Sequence, residues 1–227
     1  MLTNTMKSSA IRVLATLALA AVPGFASPIY VSNFNFESAV TGLVACGANC
    51  SSQNVAIPGW TPLVAGHSGI FAVTGAGTYW TDGAVQAADG PQSAYVFNSF
   101  GTPGVTDTLS QVVGPLAVAG WTYVLQVDIG QRLDKSFAGT ADVMIGSTQH
   151  FVACPTPTSG LFVTCAASYT ATAQDANQAI TIQLNAAGLQ GNFDNVRLDS
   201  VPEPASFLLI GSALFVLSSL RRRRTNS

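Results

Sequence analysis

The amino-acid sequence predicts an all-β protein: a single antiparallel β-sandwich of about 170 residues, set between two terminal targeting segments. Three observations carry this. Apolar residues recur with a period of two, as in Trp121, Tyr123, Leu125, Val127 and Ile129 set against Thr122, Val124, Gln126 and Asp128; such alternation buries one face of a strand. Turn-forming clusters punctuate these segments: Pro58-Gly59, Asp89-Gly90-Pro91, Gly101-Thr-Pro-Gly104 and Ala119-Gly120. No helical period is sustained between the two ends, and no internal repeat is visible.

The chain opens on Lys7 and Arg12, followed by the apolar run Val13–Val22 and then Pro23-Gly24-Phe25-Ala26. A basic start, a short apolar core and small residues at Gly24 and Ala26 describe a secretory signal peptide, cut by signal peptidase after residue 26. The domain therefore occupies residues 27–200. Further strands are expected at 29–36, 69–74, 93–98, 107–113, 141–146, 148–153, 161–170, 180–185 and 192–199.

Charge is segregated along the chain. The formal net charge is −2, but between Ser27 and Val201 three basic residues (Arg132, Lys135, Arg197) face ten acidic ones, a net of −7. An acidic domain disfavours nucleic acid as a partner.

The four cysteines are Cys46, Cys50, Cys154 and Cys165. Export places them in an oxidising compartment, where thiols pair. Of the three pairings that four cysteines allow, Cys46–Cys50 and Cys154–Cys165 are preferred, because each closes a short loop within one connection. Their spacings do not match the usual two-residue zinc knuckle.

The C-terminus reads Val201-Pro202-Glu203-Pro204, then an apolar stretch from Ala205 to Leu220, then Arg221, Arg222, Arg223 and Arg224. Sixteen residues span roughly 24 Å as a helix, short for a bilayer core of about 30 Å. The arginines hold their end in the cytoplasm and leave the domain outside. This three-part tail, residues 201–227, resembles the PEP-CTERM sorting signal of Gram-negative bacteria that make exopolysaccharide. The resemblance implies recognition of Pro202, Glu203 and Pro204 by an exosortase. It also implies transient anchorage in the inner membrane by a single transmembrane helix (205–220), then passage to the cell surface or extracellular matrix.

A second resemblance spans the domain. Its landmarks are Asn33-Phe34-Asn35-Phe36-Glu37, Ile57-Pro58-Gly59-Trp60-Thr61, Leu109-Ser110-Gln111-Val112, Gly120-Trp121-Thr122-Tyr123-Val124-Leu125 and Gly191-Asn192-Phe193-Asp194-Asn195-Val196-Arg197-Leu198. In this order they resemble the galactose-binding-like jelly rolls, which include many carbohydrate-binding modules. That resemblance implies a structural calcium ion with Glu37 and Asp194 as ligands; no other cofactor is called for. Strand parity also points Asp194 inward with Val196 and Leu198, and a buried carboxylate needs a cation or several donors.

Sugar sites stack aromatic side chains on pyranose faces and fix hydroxyls with polar groups. The candidates are Tyr79 and Trp80 on a glycine-rich loop, and Trp60, which after Pro-Gly fits the core equally well, with Asp82, Gln131 and Arg132 as polar neighbours. No catalytic constellation is recognisable. The histidines are His67 and His150, the acids are scattered singly, and neither a nucleophile elbow nor a two-histidine metal motif is present. The sequence thus predicts a non-enzymatic exported binder of exopolysaccharide. The alternative is a structural or adhesive matrix protein without a small ligand, and a secreted glycan hydrolase ranks last.

Overall fold

The computed structural model describes residues 25–38, 40–81, 89–98, 106–152 and 154–203. Ser27–Ser200 forms one compact unit. Its strands are β1 (Ser27–Ile29), β2 (Val44–Gly47), β3 (Cys50–Asn54), β4 (Thr61–Pro62), β5 (Ser68–Val73), β6 (Gln92–Val96), β7 (Asp107–Val113), β8 (Thr122–Gly130), β9 (Gly139–Ile145), β10 (Thr148–Phe151), β11 (Phe162–Thr170), β12 (Ile180–Ala186) and β13 (Gly191–Val201). They build two sheets. The larger has the order β11-β8-β13-β6-β5-β3-β2, with β1 also paired to β13; the smaller has the order β10-β9-β12-β7-β4.

The alternation read along the sequence is the packing of this sandwich. Tyr123, Leu125, Val127 and Ile129 of β8 meet Ala141, Val143 and Ile145 of β9 and Ile180, Ile182 and Leu184 of β12 in one buried core. Each such aliphatic side chain contributes about 1.5–3 kcal/mol by leaving water. Strands β5 and β6 depart from simple alternation. Ile70, Ala94 and Val96 enter the inter-sheet core, while Phe71, Val73 and Tyr95 join Trp80 in a second cluster. Both faces of these two strands are therefore occupied, since neighbours along a strand point to opposite sides.

Three local features differ from expectation. The segment expected as a strand over 29–36 leaves the sheet after Ile29, because Asn33 (φ 48°) and Phe36 (φ 55°) take left-handed backbone conformations. Asn33 supports the turn by accepting the Ser38 N–H at Oδ1, 3.0 Å, as Asn does in tight turns. Strands β2, β3 and β4, absent from the sequence reading, are short and lie partly in solvent. Finally, Asn195 is left-handed (φ 50°). This breaks the alternation of β13, so Phe193 and Val196 both reach the core although they are three positions apart. Parity with Val196 therefore does not set the direction of Asp194.

Both expected disulfides are present, Cys46–Cys50 with Cα atoms 5.3 Å apart and Cys154–Cys165 with 4.8 Å. Among the described residues no helix is long and apolar enough to cross a membrane. The expected signal peptide core, Pro204, the apolar stretch 205–220 and Arg221 to Arg224 lie outside the described residues.

Candidate functional site

The second cluster opens into a cavity of about 250 Å³ on the outer face of the larger sheet, lined by Cys46, Ser52, Asn54, Phe71, Tyr79, Tyr95, Phe97, Arg132 and Gln190. Strand register explains why these side chains meet. Ser52 of β3 lies opposite Phe71 of β5, which lies opposite Ser93 of β6. One row along, Asn54, Gly69, Tyr95 and Asn192 are aligned across four strands. Residues in register share a face. Gly69 is required in that row: a Cβ there would strike the Gln53 carbonyl and the Tyr95 hydroxyl. Its bare backbone lets the Tyr95 ring cross β5 and donate its O–H to Asn54 Oδ1.

Phe71 packs edge to face on Tyr79 and Tyr95, and Phe97 is tilted against Tyr95. Phe71 lies 5.6 Å from Tyr79 and 5.6 Å from Tyr95 between centroids, and Tyr95 lies 6.0 Å from Phe97. Arg132 completes the wall, with its guanidinium carbon 4.1 Å from the Tyr79 centroid and 5.0 Å from that of Phe71. It is 8% exposed and well partnered. Its Nε and one terminal nitrogen donate to the two oxygens of Asp134 at 2.8 and 2.7 Å. The other terminal nitrogen donates to Gln190 Oε1 at 2.8 Å, and Gln190 Nε2 in turn donates to Asn192 Oδ1 at 2.9 Å. This bidentate pairing offsets the charge of Arg132, so the cavity offers aromatic faces and amides rather than a bare cation. Burial pushes the Tyr95 hydroxyl up to about 12, with Arg132 pulling the other way; Tyr95 keeps its proton throughout the physiological range.

Three loops hold this wall. Leu133 N–H donates to the Tyr79 carbonyl, Gly160 N–H to Gln131, and Thr81 N–H to Gly160. Ser159 Oγ donates to the carbonyl of Arg132 at 3.2 Å. The Cys154–Cys165 bridge closes the loop that contains Ser159 and Gly160. The glycine-rich loop expected to present Tyr79 and Trp80 thus presents only Tyr79. Trp80 is 1% exposed and stacks on Phe162 at 4.7 Å. Trp60, at 5% exposure, packs on Phe36 at 5.5 Å. Both tryptophans are structural: this corrects Trp80 as a sugar platform, and for Trp60 it selects the core over the sugar platform. Asp82 lies outside the described residues. Phe71, Tyr95 and Phe97 were not anticipated.

A carboxylate group lies elsewhere on the larger sheet. Asp194 is fully buried. Its Oδ1 accepts the Asn195 N–H at 2.7 Å, and its Oδ2 has no hydrogen-bond partner. Burial above all, then the negative charges of Asp89, Asp128 and Glu37, push its carboxyl up to about 9 despite the Asn195 bond. Glu37 accepts the Gln92 N–H at 2.7 Å; burial and Asp89 raise its carboxyl, against that bond. Among the described residues no three His, Cys, Asp or Glu side chains group closely enough to hold a metal by themselves.

The histidines are separated from one another. His67 Nδ1 shares a 2.9 Å hydrogen bond with Asp107 Oδ2 and its ring lies against Phe97 at 5.3 Å. His150 stacks on Tyr169, and burial lowers its pKa against the pull of Asp175.

Comparison with known proteins adds what the residues alone did not. A family model described as HpiC1 cyclase matches residues 27–199, and a PEP-CTERM protein-sorting motif matches residues 200–224. No curated protein matches the chain. Among solved structures, the apo form of a cyclase from Fischerella sp. is 20% identical with a TM-score of 0.65, covering 78% of this chain and 98% of that one. A cyclase from Fischerella sp. TAU in complex with 4-(1H-indol-3-yl)butan-2-one is 20% identical with a TM-score of 0.63, over 78% and 98%. A xylan-binding domain from Paenibacillus barcinonensis is 14% identical with a TM-score of 0.47, over 81% and 99%. The cyclase matches overturn the expectation of a non-enzymatic domain. That expectation rested on finding no acid–base or nucleophile motif, and an aromatic-walled cavity needs none to be visible in sequence.

Proposed function

The chain belongs to the HpiC1 cyclase family, and from that premise we propose that it is an exported enzyme that closes rings in a neutral, aromatic-bearing substrate held in the cavity of Phe71, Tyr79, Tyr95, Phe97 and Arg132. The observation that carries this reading is the aromatic lining of the cavity, Phe71, Tyr79, Tyr95 and Phe97. Ring faces are negative and attract positive charge by about 0.5–2 kcal/mol per contact. Arg132 already lies over Phe71 and Tyr79 with its charge offset by Asp134, so Tyr95 and Phe97 are the rings that would stabilise positive charge as it develops on a closing ring. The Asn54 and Gln190 amides beside the rings would orient polar groups of the substrate, and the packed aromatic edges would exclude water. The Fischerella sp. TAU cyclase was solved with an indole compound, a flat aromatic of the kind such walls suit.

Titration with 4-(1H-indol-3-yl)butan-2-one, followed by NMR, tests the reading. Shifts centred on Tyr79, Tyr95 and Arg132 and weakened by Tyr79→Ala support it; an unperturbed spectrum at millimolar ligand counts against it. A second reading places a glycan of the exopolysaccharide in the same cavity. It is favoured by the amides of Asn54 and Gln190 in the same cavity as the half-buried Tyr79, and glycan-array binding lost in Tyr79→Ala would support it.

The sorting motif implies export and delivery toward the cell surface. Within that route, removal of residues 1–26 by signal peptidase, transient anchorage through 205–220 and exosortase action at Pro202-Glu203-Pro204 are our proposals.

Calcium at Glu37 and Asp194 is likewise proposed. The buried Asp194 Oδ2 without a partner, amid like charges, fits a hard cation, and backbone carbonyls would supply the remaining oxygens. The ion's contribution there is structural: it would neutralise the buried carboxylates and tie the Glu37 segment to β13.

A further inference from the structure

A second concavity, of about 320 Å³, runs along the β1 and β13 edge and is mostly apolar; Pro28–Val31, Phe34 and Val196–Asp199 line it. Tyr30 is 80% exposed and Phe34 39%. Two large aromatics held in water beside a groove are costly to solubility and mark an interaction surface. We propose that this groove rests on the lipid surface that the sorting tail enters, with Tyr30 and Phe34 at headgroup depth, for as long as the tail is uncut. This inference rests on the proposed anchorage through residues 205–220.

The position in the chain selects lipid over other occupants. β1 pairs with the end of β13, Ser27 opposite Ser200 and Ile29 opposite Leu198. The groove residue Asp199 precedes Ala205, where the apolar stretch begins, by six residues, a reach of at most about 20 Å fully extended. A tether this short gives an effective concentration of the order of millimolar, so weak apolar docking suffices. Tyr and Trp favour the headgroup level because one end of each ring system is apolar and the other wet. The domain's net charge of −7 excludes electrostatic attraction to anionic lipid as the driving force, so docking should be indifferent to salt. Arg197, one of three basic residues between Ser27 and Val201, lines the groove and would meet lipid phosphate.

The experiment uses the full chain in phosphatidylcholine vesicles whose acyl chains are brominated close to the headgroup, where the bromines quench tryptophan at short range. Tyr30→Trp reports on the groove and Phe215→Trp on the tail, each as a difference from the parent chain. Docking predicts marked quenching of Tyr30→Trp, unchanged by high salt and lost when Phe34→Ser is added. Quenching of Phe215→Trp alone overturns the docking while leaving the anchor in place; quenching of neither overturns both. A lipid-independent blue shift of Tyr30→Trp that grows with protein concentration assigns the groove to a second copy and overturns the proposal as well.

Discussion

The Arg132 guanidinium carbon lies 4.1 Å from the Tyr79 ring centroid, while Asp134 takes two of its N–H groups along the guanidinium edge. One cation thus joins a ring and a carboxylate in the cavity wall. Arg132→Lys is predicted not to substitute. A lysine lacks the planar fork that feeds Asp134 and Gln190 together. Loss of these contacts should cost about 1–3 kcal/mol by urea denaturation and weaken ligand binding. Full retention of both properties in Arg132→Lys would contradict the geometry.

Adjacent residues in the glycine-rich loop should behave oppositely. Trp80→Ala empties a buried site against Phe162 and should cost about 3–5 kcal/mol of stability. Tyr79→Ala loses one ring pair and one cation contact and should cost less, about 1–3 kcal/mol, yet remove most ligand affinity. Parallel thermal melts and titrations of the two variants check this contrast.

Asp194 makes stability depend on pH and on calcium together. Without a cation its folded-state pKa stands at about 9, raised from 3.8. Between these values the folded state binds more protons than the unfolded state, so stability falls as pH rises. The chelated protein should therefore melt lower at pH 8 than at pH 5. Calcium should reverse the trend, its effect growing with pH as the carboxylate is demanded. Asp194→Asn should flatten the dependence in chelator and abolish the calcium response. An Asp194→Asn variant with no turnover, in a protein whose melting ignores calcium, would instead make Asp194 a proton donor.

The Cys154–Cys165 bridge should matter to the cavity as well as to the fold. Replacing both residues by alanine opens a loop of 11 residues' separation, at about 2–4 kcal/mol by loop entropy. That loop bonds the carbonyls of Gln131 and Arg132 through Gly160 and Ser159. The variant should thus bind ligand more weakly at temperatures where it remains folded. Unchanged affinity there would show that the loop does not position Arg132.

The sandwich was legible where one physical demand ruled. Along the first part of β8 and of β12 a single face is buried, and alternation records it directly. It was misread at 29–36, where Phe34 and Phe36 mimic alternation but the left-handed Asn33 turns the chain. It was unreadable at β2 to β4, which owe their pairing to turns at Gly47 and Asn49 and to a neighbouring sheet edge. The cavity left a usable trace: Ile70-Phe71-Ala72-Val73 and Ala94-Tyr95-Val96-Phe97 are apolar on both parities, which a strand with one wet face would not be. Of the polar candidates, Arg132 does meet Tyr79. The partnership with Asp134 and Gln190 could not be read, because Gln190 lies 58 residues away along the chain.

The most direct test of the enzymatic reading is turnover by the full chain. Aromatic-bearing polyenes, indole compounds among them, are incubated with protein, and products are followed by mass-resolved chromatography. Cyclisation yields a product of unchanged mass with one more ring and one fewer double bond, and Tyr79→Ala should reduce its rate while leaving the protein folded. Failure of every such compound to isomerise, with a glycan bound in the same cavity instead, would contradict the cyclase account.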